Sequence, residues 1–172
     1  GTLGSFTAVS GTVYTAVFTP AANSTTDGVI SVENTKFSNV AGNFNADGAD
    51  TNNSVTIAVN TVPGAIVVTG TTVNEASPYA VFTVTGTAGQ QVKLALSDGT
   101  AKVGTDTGTA LQYFDGTNWV AYTADSFVAI PTGGSLLVRV AVTQDTLNEG
   151  AESFTLTATN TGGTPATGNS TI

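Results

Sequence analysis

The sequence contains no cysteine, no histidine and no methionine. Without cysteine there is no disulfide and no thiolate nucleophile, and without histidine there is no Ser-His-Asp or Cys-His pair and no zinc finger. Carboxylates are the only side chains left that could act as a general base, and the sequence assigns them to another role below. The composition therefore predicts a protein that is not an enzyme.

Positive charge is also scarce. Only 4 of the 172 residues are Lys or Arg, against 12 Asp or Glu, which gives a net charge of −8. Such a chain cannot neutralise a run of phosphates, so nucleic acid is excluded as a partner. No apolar run approaches the length of a membrane span, so membrane insertion is excluded as well. No signal peptide opens the sequence, and we expect any export signal to lie outside it.

Hydrophobic residues make up 40% of the chain, which is ample for packed cores in one or two domains. They alternate with polar residues at period two, as in Leu136, Val138, Val140 and Val142, and no window of ten residues shows helical periodicity. Short strands recur about every ten residues with turn signals between them. The sequence predicts an all-β protein of two tandem β-sandwich modules, residues 1–63 and 64–172, divided at Pro63-Gly64.

One stretch, residues 143–160, changes character at its middle. Its first half is an acidic loop with Asp145, Glu149 and Glu152, and its second half alternates like a half-buried strand. Three carboxylates on a short loop repel one another unless a cation lies among them, and hard oxygen ligands suit calcium. We interpret the loop as part of a calcium site at one end of a sandwich; a solvated acidic loop is the alternative.

A second candidate site is the aromatic segment LQYFDGTNWVAY, residues 111–122. It predicts a hairpin with its turn at residues 115–118. Its rings belong to Tyr113, Phe114, Trp119 and Tyr122. Exposed rings stack on sugar faces, which gives a glycan-binding interpretation, but cross-strand aromatic pairs more often anchor a hairpin to its sheet. We favour the anchoring role.

Residues 64–172 resemble a Calx-beta type module of the kind found in giant, type I secreted bacterial RTX adhesins. The resemblance rests on VNEASPYAVFTVTG, SDGTAKVGTD, the aromatic hairpin, LLVRVAV and QDTLNEGAESFTLTATN, which follow the family's order and spacing. In that family acidic residues from separate loops hold calcium at one end of the sandwich. The resemblance implies Ca²⁺ ligands at Glu75, Asp106, Asp145, Glu149 and Glu152.

Residues 1–63 resemble the bacterial Ig-like repeats of the same adhesins, through GTVYTAVFTPAANSTTDGVISVENTKFSNVAGNFNAD and NSVTIAVNTV. The family's module begins with two strands that precede this segment, so the resemblance implies an incomplete module with an unpaired edge. Five apolar side chains should then be exposed, or covered by a strand from outside residues 1–62. They are Tyr14, Phe18, Ile30, Val55 and Ile57.

Together the two resemblances imply a calcium-stabilised extender module of a bacterial surface adhesin or extracellular fibre. Neighbouring modules, or other copies of the chain, would complete the first module by adding strands. Two other hypotheses stay open: a glycan-binding module that uses Trp119, and an accessory domain of a secreted enzyme.

Overall fold

The computed structural model describes residues 1–145, 150–163 and 165–172. These residues form two compact units, Gly1–Val62 and Pro63–Ile172. The division falls within the Val62-Pro63-Gly64 stretch, where a proline and a glycine interrupt strand formation.

Nine antiparallel strands form the described part of the second unit. They are β5 (Val67–Thr69), β6 (Tyr79–Thr85), β7 (Gln91–Ser97), β8 (Thr107–Phe114), β9 (Trp119–Ala121), β10 (Val128–Ala129), β11 (Ser135–Val142), β12 (Ser153–Asn160) and β13 (Ala166–Thr171). A five-stranded sheet has the order β5-β6-β11-β8-β9, and a four-stranded sheet has the order β10-β7-β12-β13.

The core of the second unit comes from the alternation visible in its sequence. In β11 the residues from Leu136 to Val142 are buried at every second position, and β12 buries Phe154, Leu156 and Ala158 in the same way. Side chains from the facing sides of the two sheets form one continuous hydrophobic cluster. The second unit is therefore a β-sandwich, as the sequence predicted.

The first unit has four strands in two small sheets. In one sheet β1 pairs with β2, and in the other β3 pairs with β4. The ring of Phe18 lies directly over Gly28, a position where a Cβ atom would have no room. The strands are β1 (Thr2–Ala8), β2 (Tyr14–Thr19), β3 (Gly28–Ser31) and β4 (Ser54–Ile57).

No side chain of the first unit is buried, although every one of its residues is described. Tyr14 and Val55 are both 53% exposed, and Phe6 is 72% exposed. The other three apolar positions singled out from the sequence, Phe18, Ile30 and Ile57, are only partly covered. The four strands thus leave their apolar side chains without a closed core.

The fold class predicted from the sequence is confirmed. Within the described residues the chain is built from β-strands, and the one helical element is a single 3-10 turn at Thr51–Asn53. Among those residues there is no helix long and apolar enough to cross a membrane.

Candidate metal centre

The predicted metal ligands of the second unit lie at the ends of strands. Asp106 comes directly before β8 and Glu152 directly before β12, while Asp145 follows β11 and Glu75 lies between β5 and β6. Since β8 pairs antiparallel with β11, with Thr107 opposite Val142, the start of one strand adjoins the end of the other. The backbone N–H of Thr143 donates to the carbonyl oxygen of Asp106 at 2.9 Å across this junction.

Four of the five predicted ligands line one open cleft at this end of the sandwich. The cleft residues are Glu75, Asp106, Thr143, Asp145, Gly150, Glu152 and Ile172. The fifth predicted ligand, Glu149, lies outside the described residues. The structure thus brings together carboxylates that are up to 77 residues apart in sequence, counted from Glu75 to Glu152.

Backbone hydrogen bonds fix the loops that carry these side chains. Glu152 and Ile172 exchange N–H···O bonds of 3.0 and 2.8 Å, so the start of β12 is tied to the end of the chain. The N–H of Val73 donates to the carbonyl oxygen of Thr171 at 2.8 Å, which holds the segment leading to Glu75 against the same region. The carboxylate of Asp106 accepts the backbone N–H of Lys102 at 2.6 Å.

The chemistry of the cleft fits a hard cation. Its lining offers carboxylate oxygens and the hydroxyl of Thr143, which are the donor types that Ca²⁺ selects. Within the described residues, Lys36 forms an ion pair with Glu33 and Lys102 with Asp98, and neither of these two carboxylates lines the cleft.

The carboxylates are near one another without forming a closed ligand shell. In the described part of the chain, no group of three or more acidic residues is close enough to hold a metal ion. Their side chains are half-buried or exposed at the rim of an open cleft.

Sequence reasoning did not identify Thr143, Gly150 and Ile172 as cleft residues. Thr143 follows the buried Val142, so the period-two pattern of β11 places it on the other side of the strand, but its neighbours depend on the pairing with β8. Ile172 has no side-chain group that could bind a metal, so its residue type does not indicate a site. It lines the cleft because its backbone pairs with that of Glu152.

The aromatic hairpin has the predicted form. Strands β8 and β9 pair with Phe114 opposite Trp119, and their rings are tilted at 5.5 Å. The hydroxyl of Tyr122 accepts the N–H of Leu94 at 3.0 Å and donates to the carbonyl of Ser126 at 2.8 Å, which anchors the hairpin to the opposite sheet. The guanidinium carbon of Arg139 lies 4.2 Å from the centre of the Trp119 ring, so that ring is not open to stack on a sugar from both sides.

Comparisons with known proteins give a family match for part of the chain and similarity to solved structures. Residues 1–59 match the model of the bacterial Ig-like domain family. Among solved structures, the chain is similar to the apo form of the Calx CBD1 domain, with 21% identity and a TM-score of 0.39 over 61% of this chain and 95% of that chain. No curated protein matches the sequence.

Proposed function

We propose that this chain is a non-enzymatic, calcium-stabilised extender module of a large bacterial surface adhesin or extracellular fibre. The observation that carries the proposal is the convergence of Glu75, Asp106, Asp145 and Glu152 on one cleft at the end of the second unit's sandwich. A cation there would join loops that otherwise repel one another.

Calcium would act as a staple for a chain that has no disulfide. The four carboxylates come from separate loops, so one ion bound among them couples the strands on which those loops begin or end. An ion that binds only the folded state stabilises it by RT ln(1 + [L]/Kd), which is about 1.4 kcal/mol at tenfold excess over Kd. For a module of this size that is a sizeable share of the total stability.

The mechanical role rests on the composition and on the family match. The bacterial Ig-like match covers residues 1–59, and a fold shared by many unrelated functions does not by itself imply a catalytic role. The sequence has no histidine or cysteine to act as base or nucleophile, and the clustered carboxylates have a use as metal ligands. We place the protein outside the cell, at the bacterial surface, where millimolar calcium is available to weak sites.

The partners of the first unit would be β-strands from a neighbouring module of the same chain or from another copy. This part of the proposal is supported by the exposure of Tyr14 and Val55 and by the four-strand count of Gly1–Val62. Strands added to the free edges would cover these side chains and pair the open backbone groups.

Calorimetry of the full chain tests the calcium site. Wild-type protein is scanned in EDTA and again with added CaCl₂, and we expect calcium to raise the transition of the second unit by several degrees. The double variant Asp145→Asn, Glu152→Gln keeps the side-chain shapes, removes two charges and should lose most of that increase. A transition that calcium leaves unchanged in the wild type contradicts the proposal.

A matched control is Asp125→Asn. Asp125 is an exposed aspartate of the same unit that does not line the cleft, and its φ of 62° suits Asn as well as Asp. This variant should keep the full calcium response, which separates the loss of two ligands from a general change in net charge.

A further inference from the structure

The only arginine and the only tryptophan of the chain lie against each other on the outer face of the five-stranded sheet. The guanidinium carbon of Arg139 is 4.2 Å from the centre of the Trp119 ring and 3.8 Å from the centre of the Tyr79 ring. Both distances are well within cation–π range. Tyr79, Arg139 and Trp119, with Gln112, are called the arginine cluster below.

Strand order and register build this cluster. Arg139 of β11 is opposite Val81 of β6 on one side and Gln112 of β8 on the other. Tyr79 is two residues before Val81 and therefore on the same face, and Trp119 of β9 is opposite Phe114, two residues after Gln112. The two rings thus reach the guanidinium from opposite sides of β11.

Within the described residues Arg139 forms no ion pair with a carboxylate, although acidic residues outnumber basic ones threefold in the sequence. In the described residues Arg139 makes one hydrogen bond, from Nε to Oε1 of Gln112 at 2.8 Å. By contrast, Lys36 and Lys102 each lie within 4.0 Å of a carboxylate. The N–H donors on Nη1 and Nη2 of Arg139 thus have no acceptor among residues 1–145, 150–163 and 165–172, and the flanking rings limit how the guanidinium plane can turn.

Other hydrogen-bond donors surround the guanidinium of Arg139. Among the described residues no protein acceptor is recorded for the hydroxyl of Tyr79, the amide nitrogen of Gln112 or the indole N–H of Trp119. Tyr79 is 37% exposed, and the other three side chains are partly exposed, so all four face a surface that solvent reaches. A fixed guanidinium edge with neighbouring donors matches a carboxylate whose neighbouring groups are acceptors.

We propose that the arginine cluster binds an otherwise neutral oligosaccharide through a single carboxylate-bearing sugar. The guanidinium would hold the carboxylate in a two-point contact, and Tyr79, Gln112 and Trp119 would donate to sugar oxygens. A single cation on a chain of net charge −8 favours a ligand with one negative charge over a polyanion, which the rest of the surface repels. The hydroxyl, amide and indole donors around the guanidinium match the several hydroxyl and ring oxygens that flank the carboxylate of an acidic sugar.

Two unique residues make the site directly observable in the full chain. The fluorescence of Trp119 reports its contact with Arg139, and the Nε–Hε resonance of ¹⁵N-labelled protein belongs to Arg139 alone. We expect 3′-sialyllactose to change both signals in a saturable manner. Lactose, which lacks the carboxylate, and acetate, which lacks the sugar, should each leave them nearly unchanged at the same concentration.

Variants then assign the binding to the guanidinium. Arg139→Lys keeps the charge but loses the planar two-point donor, so we expect affinity to fall about tenfold or more. Arg139→Gln should abolish binding, while Lys93→Gln, which removes a cation that lies 5.0 Å from the Phe127 ring in the same unit, should leave it intact. Thermal unfolding of each variant checks that the fold is retained.

Three results would overturn the proposal. The first is an equal response to lactose and to 3′-sialyllactose, and the second is wild-type affinity in Arg139→Gln. The third is an equal or tighter response to the neutral-capped peptide acetyl-Ala-Glu-Ala-amide, which would make the cluster a site for acidic protein segments. If Arg139→Gln does not fold, the Nε–Hε resonance of the wild type tests the proposal instead. A ligand held by the guanidinium must shift this resonance, so an unshifted resonance would contradict the proposal. None of these results depends on calcium, so the whole series is repeated in EDTA with the same expectation.

Discussion

The rings of Phe82 and Phe154 meet edge to face at the centre of the second unit, with their centroids 5.5 Å apart and their planes at 81°. Phe82 belongs to β6 of one sheet and Phe154 to β12 of the other, and both are completely buried. This contact joins the two sheets of the sandwich, and aromatic pairs in this geometry add to the stabilisation that comes from burying their area.

Replacing either ring should destabilise the second unit strongly. We expect Phe154→Ala to lower its free energy of unfolding by about 3–5 kcal/mol, because a large cavity remains between the sheets. Urea unfolding followed by Trp119 fluorescence measures this unit selectively, since the only tryptophan lies in it. The control Phe37→Ala removes a ring that is 57% exposed in the first unit and should not move the transition. Equal midpoints for wild type and Phe154→Ala would contradict this account of the core.

Much of the second unit could be predicted from its sequence, because its strands alternate strictly. The buried positions of β11 and β12 and the turn of the β8–β9 hairpin follow from local patterns. By contrast, β1 was not predicted: TLGSFTA has no regular alternation, Ser5 has a positive φ of 54°, and the register with β2 shifts between Gly4 and Thr7. A bulge of this kind hides the period-two signal.

The two candidate sites, the acidic cleft and the arginine cluster, could also be predicted only in part from the sequence. The acidic residues could be identified as ligand types from sequence and family resemblance, but Thr143 and Ile172 join the cleft only through strand pairing. The sequence shows that Arg139 points away from the core, yet its contacts with Tyr79 and Trp119 depend on the order of four strands. Non-local register is not encoded in a window of ten residues, so such clusters emerge only from the fold.

The turn of the hairpin makes a prediction about pH. Oδ1 of Asp115 accepts the backbone N–H groups of Asn118 at 2.7 Å and of Thr117 at 2.8 Å. These bonds, that from Asn118 first, favour the ionised carboxylate and lower the pKa of Asp115 below its usual value. Because the folded pKa lies below the unfolded one, the stabilisation is present above the unfolded pKa and is lost as pH falls through the folded pKa.

A carboxyl-carbon NMR titration measures this pKa directly. We expect the pKa of Asp115 to lie below the usual value of an aspartate in the folded chain, and the shift to vanish in urea. In Asp115→Asn the amide oxygen still accepts both bonds but does not titrate, so this contribution to the pH dependence should disappear while the hairpin is kept. A normal pKa for Asp115 in the folded chain would show that the turn is not formed in solution.

If the clustered carboxylates serve as metal ligands, as proposed, we expect the isolated chain to have no hydrolytic or group-transfer activity. A screen over ester, peptide, glycoside and phosphate substrates, with and without calcium, should give only background rates. Turnover that persists through purification and is abolished by one substitution, such as Glu75→Gln or Asp106→Asn, would overturn this prediction. The activity of a contaminating enzyme would not be abolished by a single substitution in this chain.

The open core of the first unit leads to a prediction about local stability. Among residues 1–62 no side chain is buried, whereas β11 and β12 of the second unit bury every second residue. Amides protected only by pairs of strands without a core exchange through low-energy opening. We therefore expect hydrogen exchange in the full chain to be much faster in β2 and β4 than in β11 and β12.

Strand addition should reduce this difference in exchange rates. If strands from a neighbouring module or another copy complete the first unit, extending the chain with its neighbouring module, or raising its concentration, should slow exchange in β2 and β4 and leave β11 and β12 unchanged. A dye that binds exposed apolar surface should be released at the same time, because Tyr14 and Val55 become covered. Dependence on concentration identifies a second copy as the donor, and protection in the extended chain at any dilution identifies the neighbouring module. Equal protection of all four strands in the dilute, isolated chain would show that Gly1–Val62 is a self-sufficient fold and that no added strand is needed.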